Sequence, residues 1–81
     1  MPGYEIVWSD VPFEQYRSLP PYVQSRVDET LALLRNDPEC YGVYDKDADH
    51  WSATFGDGAG FILYVVSHER VKVVLLRIIS V

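Results

Sequence analysis

A single cysteine, Cys40, leaves no partner for an internal disulfide in this chain of 81 residues. One cysteine with two scattered histidines, His50 and His68, also lacks the spacing of a structural zinc framework. The alternating Asp45, Asp47 and Asp49 superficially suggest a calcium loop, but the glycine and the distant glutamate of an EF-hand are missing and no helix pattern follows. No cofactor and no metal are expected. No apolar run approaches the roughly 18 residues of a membrane span, and the opening Met1-Pro2-Gly3-Tyr4-Glu5 lacks the basic and apolar regions of a signal peptide. The expectation is a cytoplasmic protein with no membrane association.

Positive charge is also scarce. Seven Lys and Arg face twelve Asp and Glu, for a net charge of −5 and a pI near 4.7. That balance argues against a protein that coats nucleic acid, because such binding relies on cations that displace the counterions condensed on phosphate, and leaves room only for a local basic pocket. Between Asp37 and Asp57 lie Asp37, Glu39, Asp45, Asp47, Asp49 and Asp57, with Lys46 as the sole Lys or Arg. This middle segment is an acidic surface.

What is present is globular. Hydrophobic residues make up 48% and aromatics 14%, enough for one core, while 81 residues are too few for two. The chain is therefore one domain, residues 1–81.

Tyr4 to Trp8, rich in aromatic and β-branched residues, predicts a short strand. Ser9 and Asp10 are helix-capping types, and Pro12 is tolerated in a first turn, so a helix is predicted over about Val11 to Ser18. Leu19-Pro20-Pro21 ends it and opens the next. From Tyr22 to about Asn36, Val23, Val27, Leu31 and Leu34 recur at helical spacing, and Asp37-Pro38 closes the helix. Cys40 to Asp49 reads as an acidic loop with a short extended piece at Tyr41 to Tyr44. The period then becomes two: Trp51, Ala53 and Phe55 point one way, His50, Ser52 and Thr54 the other. Gly56-Asp57-Gly58-Ala59-Gly60 is a turn, and Phe61 to Ser67 and Val71 to Val81 are strands joined by His68-Glu69-Arg70. The near-continuous apolar character of these last two places them at the covered centre of a sheet. The fold class is α+β, with two N-terminal helices packed on one face of a small, mainly antiparallel sheet in the order β-α-α-β-β-β.

This order, with its local phrases, resembles the RelE/ParE family of bacterial toxin–antitoxin systems. The resemblance spans nearly the whole chain. It is carried by Tyr4-Glu5-Ile6-Val7-Trp8-Ser9, the Leu19-Pro20 junction, the Leu34-Arg35-Asn36-Asp37-Pro38 helix end, the Trp51 strand, the Gly56-Asp57-Gly58 turn, Phe61 to Val66 and Val71 to Ile79. It implies a cognate antitoxin as partner and, for ribonuclease members, metal-independent cleavage of messenger RNA on the ribosome. Cleavage by a ribose 2′-hydroxyl needs a base, an acid and cations for the phosphorane charge. The family commonly places a basic residue after the Gly-Asp turn, where this sequence has Gly58-Ala59-Gly60-Phe61, and another beyond the last strand, where it reads Ser80-Val81. The position after the turn thus carries no basic residue; were the chain complete at Val81, the one beyond the last strand would be vacant too.

The remaining candidates are few. Arg77 would stabilise charge, His50 would act as base or acid, and Tyr64 would offer a phenol. Lys46, Arg70 and Lys72 would hold phosphate, although Asp45 and Asp47 compete for the Lys46 ammonium. By regular alternation Arg77 shares a face with Val73, Leu75 and Ile79, and Lys72 lies on the opposite one. Each candidate has a plain alternative: a surface cation, an ion pair, or in Tyr64 a packed ring. Against the endoribonuclease stands a non-catalytic interaction module, either a degenerate toxin that binds an antitoxin or a ParE-like topoisomerase inhibitor. A homodimer through the apolar last strand is a further expectation, since a free sheet edge invites pairing.

Overall fold

The computed structural model describes residues 3–81; Met1 and Pro2 lie outside it. Seven elements follow in order: β1 (Glu5–Val7), α1 (Asp10–Arg17), α2 (Pro21–Asn36), β2 (Val43–Asp45), β3 (His50–Phe55), β4 (Gly60–Ser67) and β5 (Lys72–Ser80). The strands form one sheet ordered β1-β5-β4-β3-β2, antiparallel from β2 to β5 and parallel between β1 and β5. The α+β class holds, with one strand more than expected. Val43–Asp45 pairs with β3 and turns the expected three-stranded meander into four strands.

The core lies between the helices and one face of the sheet. Val27, Leu31 and Leu34 of α2 meet Ala53 and Phe55 of β3, Ile62 and Tyr64 of β4, and Val73, Leu75 and Ile78 of β5. The helical spacing of the first set and the alternation of the second are what make these surfaces complementary. Thr30, the one buried polar side chain among the described residues, donates to the Thr54 carbonyl at 3.2 Å, so the helix is tied to β3 without an unpaired hydroxyl.

Helix boundaries follow the prolines. Pro21 occupies the first position of α2, where its missing N–H costs nothing, and Asp37 follows the last residue. At α1 the capping expectation is corrected: Ser9 sits at the N-cap, but its hydroxyl makes no cap bond, and only its carbonyl accepts from Phe13 N–H at 3.1 Å. The β3–β4 turn uses positive φ at Gly56 (60°), Asp57 (54°) and Gly58 (92°), and the two glycines adopt it without a Cβ penalty.

β5 and β4 lie inside the sheet as their apolar runs predict, but two other expectations about β5 change. It is not an edge strand: β1 covers Lys72 to Val74, and further along α1 covers it, with the Gln15 side-chain oxygen accepting from Ile78 N–H at 2.7 Å. The last strand therefore does not present the free edge on which the expectation of a homodimer rested. Second, the alternation breaks. Leu63 pairs with Arg77 while Tyr64 pairs with Leu75, so Leu76 is an extra residue opposite β4. This bulge swaps the faces: Val73 and Leu75 point inward before it, Ile78 after it.

Candidate functional site

The face of the sheet away from the helices carries no covering element among the described residues, so its side chains define the candidate surface. The paired register places them in rows. Val43 of β2 lies beside Ser52 of β3, then Leu63 of β4 and Arg77 of β5. One row further, Thr54, Phe61 and Ile79 align. In the other direction Asp45 lies beside His50, and Val65 is followed by Val74 and Val7. Beyond these Ser67, Lys72 and Glu5 align.

The centre of this face is thus apolar: Phe61, Leu63, Val65, Val74 and Ile79 are all only half-buried. Arg77 is exposed at its middle, and no ion pair with it occurs among the described residues. The bulge at Leu76 explains this. On a regular strand Arg77 would share the buried side with Val73 and Leu75, and burying an unpaired guanidinium is costly. The extra residue turns it to the open side, where it shares a face with Lys72, and the expectation of opposite faces for these two cations is corrected. Lys72 itself is engaged by Glu5 at 3.9 Å.

His50 also reaches the open face, half-buried beside Asp45. It lies two strands and two residues from Arg77, about 12 Å by the usual strand and residue spacings. Lys46 and Arg70 are exposed in the β2–β3 and β4–β5 turns, at the same end of the sheet as His50 and Lys72. The cations accordingly form a sparse arc along one end with Arg77 set further in.

Tyr64 is elsewhere. It is fully buried on the helix side, where its hydroxyl donates to the Pro38 carbonyl at 2.6 Å and its ring stacks on Trp51. Burial and, secondarily, the Glu39 charge push its pKa up to about 12, so the phenol stays protonated in the neutral range. The structure does not bring it together with Arg77 and His50. Pro38 and Gly42 are the residues that sequence reasoning missed here. A Cβ at Gly42 would overlap the Tyr64 hydroxyl, so the glycine permits the loop before β2 to close over the ring. Nothing in the local sequence marks that contact, because the partners are 22 residues apart.

The other candidates are surface groups. His68, in the β4–β5 turn, contacts Glu39 at 3.1 Å and the Tyr4 hydroxyl at 3.3 Å. Cys40 is exposed and free. Among the described residues no group of three or more His, Cys, Asp and Glu side chains gathers as a metal site, and no helix is long and apolar enough to cross a membrane.

No family model matches the chain, and no curated protein does. Solved structures share its fold, among them the following two. The RelBE2 toxin–antitoxin complex from Mycobacterium tuberculosis aligns with a TM-score of 0.85 at 24% identity, over 98% of this chain and 99% of that one. The E. coli toxin RelE, in the free state and with two arginines replaced by alanine, aligns with a TM-score of 0.79 at 16% identity, over 96% of this chain and 83% of that one. The chain has the fold of RelE toxins.

Proposed function

We propose that this chain is the toxin-fold member of a toxin–antitoxin pair, with a cognate antitoxin as its protein partner. The supporting observation is the near-complete overlap, 98% of this chain, with a chain of a toxin–antitoxin complex. On this reading the open sheet face is the working surface.

The finer reading is cleavage of messenger RNA in the ribosome. The ribose 2′-hydroxyl attacks the adjacent phosphorus, its proton passes to a base, the bond from phosphorus to the 5′-oxygen breaks, and that oxygen takes up a proton. Among the described residues His50 suits the proton transfers as the one imidazole on the open face, and Arg77 suits the phosphorane charge because no carboxylate there lies within ion-pair distance to compete for it. Lys46, Arg70 and Lys72 stand at the end of the sheet where flanking phosphates would pass. Tyr64 supports the sheet from beneath.

A second reading has its own support. The face is dominated by Phe61, Leu63, Val65, Val74 and Ile79, a surface suited to an apolar partner segment more than to a polyanion. On that reading the chain binds an antitoxin, a topoisomerase or another protein and cuts nothing.

Induction in a bacterial host with primer extension on abundant messages separates the two. Ribonuclease activity gives growth arrest with new codon-linked 5′ ends, and Arg77→Ala and His50→Ala each reduce those ends by about a hundredfold or more. Undiminished cleavage in both variants overturns the assigned roles. Soluble, folded wild type that yields no new ends overturns the enzyme and leaves the binding module.

A further inference from the structure

The free edge of the sheet at β2 has a chemical character unlike the open face. Its one strand neighbour is β3, so alternate backbone N–H and C=O groups of Val43–Asp45 point outward without a partner strand. Val43 is 71% exposed and Tyr44 46%. The strand is only three residues long and carries one charge, Asp45, which blunts it against indiscriminate pairing, while no lysine, proline or covering loop lies within it. The segment is also held in place. Gly42 packs against Tyr64, whose hydroxyl holds Pro38, and the Tyr44 hydroxyl donates to Asp49 at 2.6 Å across the turn.

Charge selects the occupant. Asp45, Asp47 and Asp49 have no Lys, Arg or His within ion-pair distance among the described residues. Asp45 accepts from the Asp47 and Ala48 amides at 3.0 and 3.3 Å, which orders its carboxylate without neutralising it. A nucleic acid or an anionic membrane is repelled by this edge, and a second copy of the chain would bring like charges together. We infer that β2 is a docking edge for an extended, lysine- and arginine-bearing segment of a partner protein, which adds as a sixth strand and lays alternate apolar side chains beside Val43 or Tyr44. Backbone pairing supplies the geometry and the aspartates supply the preference for cations. The inference does not require RNA cleavage, although the edge adjoins the open face where Asp45 pairs with His50.

The test uses the full chain and a ten-residue probe peptide alternating lysine with valine and tyrosine, followed by amide shifts and hydrogen exchange. Binding at the edge gives slowed exchange within residues 43–45. It also gives at least tenfold weaker affinity for a peptide with glutamate in place of lysine, and for the variant Asp45→Asn/Asp47→Asn/Asp49→Asn, whose side chains keep their acceptor oxygens. A far-ultraviolet spectrum and urea midpoint matching wild type show that the variant is folded. Shifts spread over the acidic surface without protection in β2, docking on the open face, or equal affinity for both peptides overturns the inference.

Discussion

At the scale of single residues, Tyr64 shows how a chemically capable group can be committed to structure. Its hydroxyl satisfies the carbonyl of buried Pro38 and fills the space that Gly42 leaves. Tyr64→Phe leaves that carbonyl unpaired, and a loss of about 1–2 kcal/mol is expected in urea unfolding at pH 7. The pH dependence follows from the raised pKa. The folded protein keeps the proton to about pH 12, whereas the unfolded chain releases it near the ordinary value of 10.0. The tyrosine's contribution is complete below pH 10 and lost as pH rises through 12, so the gap between wild type and Tyr64→Phe should close over that window. A gap that stays constant would show that the hydroxyl is not buried and bonded as described. In the sequence Tyr64 was indistinguishable from a tyrosine on the open face, because an apolar strand such as Phe61 to Val66 does not reveal which parity is buried.

At the scale of elements, β5 carries the main departure from the sequence pattern. A one-residue insertion in an apolar run, Val73-Val74-Leu75-Leu76, leaves no polar mark, so the bulge was invisible until its pairing with β4 was known. The same insertion turns Arg77 outward. Arg77→Ala is accordingly expected to change stability by less than about 0.5 kcal/mol, since no ion pair holds it among the described residues. Gln15→Ala, by contrast, strips the acceptor from the Ile78 N–H and should cost about 1 kcal/mol. Equilibrium urea unfolding of the two variants side by side checks both, and a larger loss for Arg77→Ala would point to a buried role for the guanidinium. α2 was readable from its periodicity and its prolines. β2 was readable only as a short extended piece, because its three residues span too little alternation to announce a strand.

For the whole molecule the net charge of −5 acts as a weak internal repulsion. The ion pairs that offset it join exposed side chains, Arg17 with Glu14 and Arg26 with Glu29 among them, and contribute little. Raising sodium chloride from about 0.05 to 0.5 M shortens the screening length severalfold, and the urea midpoint is expected to rise, by the equivalent of roughly 0.5 kcal/mol. A fall in the midpoint would mean that attractive pairs outweigh the repulsion. The same charge separates the two surfaces: the open face is apolar with a single unpaired arginine at its middle, and the β2 edge is acidic.

The sequence by itself determined the α+β class, the helix boundaries at Pro21 and Asp37, the turn at Gly56 to Gly58 and the scarcity of cations, because each depends on local conformational preference or on composition. Only the tertiary structure decided that β1 lies beside β5, that Leu76 is a bulge, that Arg77 and Lys72 share a face while Tyr64 does not, and that β2 is a free edge. Those outcomes depend on which strands pair and in which register, a choice made by side chains far apart in the chain that meet only when the core closes.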